Sequence, residues 1–205
     1  MPIDTLTRRH LVAIVATAGA SVLGTGLSTG AFALSAGEAE HLVISVSRDI
    51  QRVINSGKSE NAIVRDFERI FMKYADIAIM AQSSLGVARR FASSSQVRNY
   101  TEAFRGYLAH KYGKRFREFV GAEIKVVKSR KTRRGYLVTT SVKMPGRPAF
   151  AVEWQVSDAS GSTRAFDLII EGISMLRLER EEIARMLDRR GGDIDRLIAH
   201  LRTAG

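Results

Sequence analysis

Hydrophobic positions in the first half of the chain recur at helical spacing. From Ala36 onward, apolar residues follow one another at intervals of three and four, which predicts amphipathic helices. Asn55-Ser56-Gly57 ends the first helix, and a second begins near Ser59. Residues 76–91 are predicted to form one or two short helices. A long helix follows, with Ser94 or Ser95 as its cap and an apolar stripe that reaches Phe119.

The spacing of apolar residues changes from helical to alternating after Gly121. Ile124 and Val126 open a first strand, and three further alternating runs follow at 136–143, 150–157 and 164–171. Because turn sequences such as Pro145-Gly146 connect the runs closely, we predict an antiparallel meander. Two helices at 174–189 and 193–201 complete an α+β layout of helices around a four-stranded sheet.

The first thirty-three residues have the pattern of an export signal. Arg8 and Arg9 precede an uncharged stretch that ends in Ala31-Phe32-Ala33, which predicts cleavage after Ala33. The residues around the arginine pair resemble a twin-arginine signal, although an uncleaved membrane anchor is the alternative reading. We therefore expect residues 34–205 to form a single domain in the periplasm.

Net charge and cysteine content narrow the possible functions. The chain carries 32 Lys and Arg against 21 Asp and Glu, a formal charge of +11, and it has no cysteine. Disulfides and cysteine-based metal sites are thus excluded. Removal of residues 1–33 leaves 30 basic and 20 acidic residues, so the excess belongs to the mature domain. An anionic membrane surface, an acidic protein and nucleic acid are the candidate partners.

No familiar catalytic or metal-binding motif stands out. The four histidines are not paired at helical metal-site spacing, and a P-loop, a G-x-S-x-G and an H-E-x-x-H sequence are all missing. Glu179, Glu181 and Glu182 alternate with arginines, which indicates a solvated helix face. A site assembled in space, such as His110 with Asp167, is the enzymatic alternative.

The basic residues around the first strand turn favour an exposed loop over a nucleic-acid interface. An RNA-binding sheet needs exposed aromatic residues among its charges, whereas Phe150 and Trp154 share one face of a predicted strand. We expect no nucleic-acid partner. The cluster consists of Lys125, Lys128, Arg130, Lys131, Arg133 and Arg134.

Several segments together resemble the MlaC, or toluene-tolerance, family of periplasmic phospholipid-binding proteins. The strongest similarity lies in Phe166-Asp167 through Glu171-Gly172-Ile173-Ser174, followed by Arg180. Segments 76–86, 101–116 and 152–154 also resemble family motifs. The chain departs from the family after Gly86, after the turn at 158–161 and at Leu178-Glu179, where aromatic residues are usual.

The resemblance implies a strongly curved antiparallel sheet of the NTF2-like kind, packed on helices and enclosing an apolar cavity for acyl chains. Alternation in the strands and periodicity in the helices supply candidate lining residues, although the same pattern is typical of a packed core. The candidates are Phe67, Phe71, Tyr74, Phe104, Leu108, Tyr136, Val138, Phe150, Val152, Trp154, Leu168 and Ile170.

The resemblance also implies partners and a role without catalysis. We expect a monomer that carries a phospholipid as its ligand, has no cofactor and is not an enzyme. It would exchange the lipid with an inner-membrane ABC-type transport complex and an outer-membrane lipoprotein–porin complex. The alternatives are a hopanoid or another lipid as cargo, or a small periplasmic enzyme of the isomerase or dehydratase type with an apolar pocket.

Overall fold

The described residues form six α-helices, two 3₁₀ helices and one antiparallel sheet. The computed structural model describes residues 34–204, apart from the side chains of residues 116 and 117, and these residues belong to one compact unit. The predicted export signal lies outside the described residues. The helices are α1 Ala36–Ile54, α2 Glu60–Tyr74, α3 Ile77–Leu85, α4 Ser94–Gly113, α5 Met175–Asp188 and α6 Ile194–Leu201, and the 3₁₀ helices are Gly86–Arg90 and Lys114–Phe119.

The start of α1 is fixed by a reciprocal cap. The Ser35 side chain accepts from the backbone N–H of Glu38, and the Glu38 carboxylate accepts from the backbone N–H of Ser35. The hydrogen bonds that the Ser35 backbone N–H and the Ser35 hydroxyl donate to this carboxylate lower the pKa of Glu38. Leu34, immediately before the cap, is buried, and its backbone N–H donates to the Asp158 carboxylate at 3.1 Å.

The long central helix ends earlier than its apolar stripe suggested. The α-helical part, α4, stops at Gly113, and the chain continues to Phe119 as a tighter 3₁₀ helix. Gly113 packs against α2, where an added Cβ would lie 3.1 Å from Val64 Cγ2. The apolar periodicity alone does not distinguish the two helix types.

The sheet is an open antiparallel meander of five strands in the order β1-β2-β3-β4-β5. Bulges interrupt the β1–β2 ladder at Val126/Lys128 and the β3–β4 ladder at Gln155/Val156, and such bulges bend the strands that contain them. The strands are β1 Glu123–Thr132, β2 Gly135–Lys143, β3 Phe150–Ser157, β4 Arg164–Ile170 and β5 Ile173–Ser174.

The α+β prediction is confirmed, but the predicted strand number is one too low. Glu171 and Gly172 both have positive φ, 48° and 82°, so they form a tight two-residue hairpin loop. This loop returns the chain to pair Ile173 with Ile170. A two-residue strand leaves no alternation to detect in the sequence.

Two separate groups of buried hydrophobic residues hold the fold together. The sheet core lies between the face of the sheet that meets α1 and the helices α1 and α2. Its members on the strands and on α1 and α2 include Ala39, Val43, Val46, Ile54, Ile70, Tyr74, Val138, Val142, Val152, Trp154, Val156 and Ala165.

The helix core is formed by α3, α4, α5 and α6. It contains Ala81, Leu85, Tyr100, Ala103, Phe104, Tyr107, Leu108, Ile183, Leu187, Ile194, Leu197, Ile198 and Leu201. No sheet residue belongs to it among the buried members.

Candidate functional site

The seven predicted strand residues share one face of the sheet, the face that meets α1. We call it the inner face. Val138, Val152 and Trp154 are buried there, whereas their four apolar neighbours are only partly buried. These four are Tyr136, Phe150, Leu168 and Ile170. The inner face therefore has a buried floor and a partly accessible apolar margin. Whether the seven line a cavity stays a prediction.

One polar connection crosses the floor of the inner face. The Trp154 indole N–H donates to Thr140 Oγ1 at 3.1 Å, and the Thr140 hydroxyl donates to the Val152 carbonyl at 2.9 Å. Because both residues are buried, these bonds satisfy groups that would otherwise be costly in an apolar surrounding. The floor consequently offers little polar chemistry to a ligand.

The three predicted residues of α2 lie in different surroundings. Tyr74 is in the sheet core, and its hydroxyl donates to the Asp49 carboxylate of α1 at 2.7 Å. This hydrogen bond is the main cause that lowers the pKa of Asp49, with Lys73 adding to it and burial opposing it. Phe67 and Phe71 are partly buried and stack with ring centroids 6.0 Å apart. Phe71 packs against the helix core.

Phe104 and Leu108 of α4 lie away from the inner face. They belong to the helix core and are 0% and 2% exposed, so protein atoms already cover their side chains. Helical periodicity predicts which face of a helix is buried, but it does not predict which neighbouring element covers that face. The structure thus divides eleven of the twelve predicted residues between two cores, and the twelfth, Phe67, stacks on Phe71.

Glu179 departs from the solvated helix face predicted for it. It is 2% exposed in α5 and accepts hydrogen bonds from Lys111 Nζ at 2.6 Å and from the Tyr112 hydroxyl. Burial first, and then the bond to Glu179, raise the pKa of Tyr112. Although burial opposes its charge, the same carboxylate and Tyr107 raise the pKa of Lys111. The prediction was wrong because Glu179 is turned inward, toward α4.

Asp167 is also buried, and its carboxylate holds neighbouring elements together. Its carboxylate accepts from Ser174 Oγ at 2.6 Å, from the Leu176 backbone N–H at 2.9 Å and from Gln155 Nε2 at 3.3 Å. These bonds fix the beginning of α5 to β3 and β4. His110, the predicted partner of Asp167, is exposed. The geometry offers no support for the enzymatic site considered from the sequence.

An arginine-rich pocket of about 780 Å³ opens on the other side of the sheet from the inner face. It lies between the 3₁₀ helix Gly86–Arg90, α5 and strands β3 and β4, and Phe166 and Asp167 form part of its wall. Five arginines line it, and we call it the arginine pocket: Arg89, Arg90, Arg134, Arg177 and Arg180.

The sequence predicts only part of the arginine pocket. Arg134 belongs to the basic cluster of the first strand turn, whereas Lys125, Lys128, Arg130 and Lys131 of that cluster lie exposed on the edge strand β1. Charges on an edge strand discourage pairing with other sheets. The arginines of the pocket come from segments far apart in sequence, so no local signal unites them.

A second pocket, of about 440 Å³, lies between α1 and α2 and is lined by charged residues of both signs. None of the twelve predicted residues lines either of these two pockets. Among residues 34–204, no three His, Asp or Glu side chains are grouped in a way that could hold a metal ion. The described helices include none that is long and apolar enough to cross a bilayer.

The fold has a solved counterpart. It is similar to the phospholipid-binding protein from Ralstonia solanacearum, whose structure was determined in complex with a phospholipid. The similarity has a TM-score of 0.67 at 17% sequence identity and covers 80% of this chain and 98% of that one.

Family membership follows from the sequence match over most of the chain. The family model described as MlaC protein matches residues 45–203. This range includes every strand of the sheet and all six helices, apart from the first turns of α1. On this match, together with the fold, the chain belongs to the MlaC family.

Proposed function

We propose that this protein carries a phospholipid, with the acyl chains lying against the inner face of the sheet. The observation that carries the proposal is the accessible apolar margin of that face. Tyr136, Phe150, Leu168 and Ile170 are large side chains that the protein leaves only partly covered. The family match and the phospholipid bound by the Ralstonia solanacearum protein support the same conclusion.

The energetics of acyl chains explain why such a carrier must cover them. A two-chain lipid has about thirty methylene groups, each worth about 0.8 kcal/mol on transfer from water into apolar surroundings. Movement of a free lipid through water is therefore extremely rare. A carrier needs no covalent chemistry, since the lipid only passes from one covered site to another.

We further propose that the protein works as a monomer in the periplasm, between an inner-membrane ABC-type complex and an outer-membrane lipoprotein–porin complex. The energy for net movement would come from the ATPase of the inner-membrane complex. Membership of the MlaC family supports this placement. Chemical cross-linking in intact cells, followed by identification of the captured proteins, tests it: neither complex among them would contradict the shuttle role.

The contacts of Leu34 are compatible with cleavage after Ala33. Leu34 is buried, and its backbone nitrogen lies 3.1 Å from Asp158 Oδ2. Cleavage would turn this nitrogen into an ammonium group beside a carboxylate, which strengthens the hydrogen bond. N-terminal sequencing of the exported protein is expected to begin at Leu34; a chain that begins at Met1 would contradict cleavage.

Native mass spectrometry of the purified protein, with organic extraction, tests lipid carriage. We expect one diacyl phospholipid per chain. The mass also distinguishes a phospholipid from a hopanoid. A protein that is isolated empty, and that takes up no lipid from vesicles, would contradict the proposal.

A further inference from the structure

The arginine pocket concentrates positive charge from both sides of a cleft. Arg89 and Arg90 come from the 3₁₀ helix, Arg177 and Arg180 from α5, and Arg134 from the hairpin between β1 and β2. All five side chains belong to exposed residues. They face a shared volume of about 780 Å³, which is large enough for a small polar ligand.

Most of these arginines have no acidic partner within the described part of the chain. Arg89, Arg90, Arg134 and Arg180 form no ion pair within 4.0 Å among residues 34–204. Arg177 Nε lies 3.9 Å from Glu181 Oε1, a loose and exposed pair. Asp167 also lines the pocket, but its carboxylate is occupied by Ser174, Leu176 and Gln155.

Like charges that line one cleft raise its positive potential, and this potential attracts anions. Guanidinium groups present planar, forked donors that match the oxygens of phosphate. Gln82 and Ser83 add neutral polar groups to the wall. Gly86, at φ 57°, leaves room for Arg180, whose Nε would lie 3.2 Å from a Cβ added there. The chemistry of the pocket therefore favours a phosphate-bearing ligand.

Two exposed apolar side chains next to the pocket indicate where that ligand comes from. Val87, in the pocket wall, is 62% exposed, and Phe91, directly after Arg90, is 82% exposed. Apolar and aromatic side chains beside basic ones are typical of segments that lie at a membrane surface. A free phosphate ion would gain nothing from such side chains.

We infer that the arginine pocket binds the phosphate of an anionic lipid headgroup at a membrane surface, while Val87 and Phe91 contact the bilayer. The inference rests on the proposed lipid-carrying function, to which it adds a preference for anionic headgroups. The arginine pocket lies on the side of the sheet away from the inner face, so binding to membranes and carriage of lipid can be tested separately.

Vesicle flotation of the purified protein tests the inference. The vesicles contain phosphatidylcholine alone or phosphatidylcholine with phosphatidylglycerol. The pocket variant is Arg134→Gln/Arg180→Gln, and the matched control is Lys128→Gln/Lys131→Gln, which removes the same charge from exposed positions on β1. We expect the pocket variant to lose at least about tenfold in binding to the anionic vesicles, and the control about threefold or less.

Each outcome has a defined meaning. Equal losses in the two variants would overturn the inference, since net charge alone would then explain binding. Unchanged binding in the pocket variant would overturn it as well and would leave an acidic protein as the ligand. At equal ionic strength, inorganic phosphate should displace the protein from anionic vesicles further than chloride does, and a response that is equal for both ions would overturn the assignment of the pocket to phosphate. Binding of inorganic phosphate by a protein that shows no preference for the anionic vesicles would assign the pocket to free phosphate and overturn the lipid source.

Two additional measurements separate folding and cargo effects. Circular dichroism and thermal unfolding of both variants confirm that they are folded. Phe91→Ser, which changes no charge, is expected to weaken binding to anionic vesicles about threefold or more. If the pocket variant binds vesicles normally and the protein still co-purifies with lipid, this inference fails while the proposed function stands. If the protein never binds lipid, the proposed function fails.

Discussion

The two cores of the molecule differ in how completely their largest side chains are covered. In the helix core, the large side chains Tyr100, Phe104 and Leu108 are fully buried, and partly buried residues such as Phe71 and Tyr112 lie only at its edge. In the sheet core, the floor is buried but Phe150 and Leu168 at its margin keep accessible apolar surface. A closed core gives stability, while an apolar margin that the protein leaves uncovered is available to a ligand.

This difference suggests that the helix core stabilises the fold and that the sheet core also contacts the lipid. Mutations in the helix core are expected to change stability with little effect on lipid content per folded molecule. Mutations at the margin of the inner face are expected to change lipid content more than stability. The following changes test that division in order of expected effect.

The largest effect is expected from Lys111→Met in the helix core. It leaves the buried Glu179 carboxylate without its cation, so we expect a loss of about 3–5 kcal/mol in the free energy of unfolding, measured by urea titration. Arg185→Met, which breaks the more exposed pair with Glu182, is the control and should change little. If both substitutions cost the same, Glu179 does not stabilise the core in the way described.

Leu168→Asp places a charge on the margin of the inner face opposite Trp154, its partner in the β3–β4 register. Lipid per folded molecule should fall at least about tenfold, because a carboxylate disfavours contact with acyl chains. Phosphate analysis of the folded fraction measures it. Leu168→Met is the conservative control and should retain lipid.

Leu108→Ala is the corresponding change in the helix core. It should cost about 2–5 kcal/mol of stability and leave the lipid content of folded protein unchanged. A loss of lipid here similar to that in Leu168→Asp would contradict the division between the two cores.

The smallest effect is expected from Tyr74→Phe, which removes the hydrogen bond to Asp49. At neutral pH the free energy of unfolding should fall by about 1 kcal/mol. Because that bond lowers the pKa of Asp49 in the folded state, its contribution is present above the ordinary pKa near 3.8. The contribution is lost as the pH falls through the folded-state pKa. The difference between variant and parent should therefore shrink below about pH 4; a constant difference would contradict this assignment.

The fold class and the shared face of the strand residues could be predicted from the sequence because alternation fixes which side chains point the same way. Phe150, Val152 and Trp154 illustrate this, since a slip of one position would reverse all three. The fifth strand was missed because a two-residue strand has no period. The resemblance to the family was confirmed over residues 45–203.

Burial of charged residues could not be predicted in the same way. Glu179 lies among exposed arginines in sequence, and only the packing of α5 on α4 shows that it meets Lys111 and Tyr112. Helical periodicity likewise predicts that Phe104 is buried, but it cannot predict in which of the two cores this residue lies. The arginine pocket depends on contacts between segments distant in sequence, which no local pattern encodes.

Fluorescence of the protein's only tryptophan tests the central claim most directly. Trp154 lies on the floor of the inner face, next to Leu168 in the register. Loading the protein with a phospholipid brominated on its acyl chains is expected to quench this fluorescence strongly, whereas the unbrominated lipid should not. Stoichiometric binding of the brominated lipid without quenching would show that the acyl chains lie elsewhere and would contradict the account.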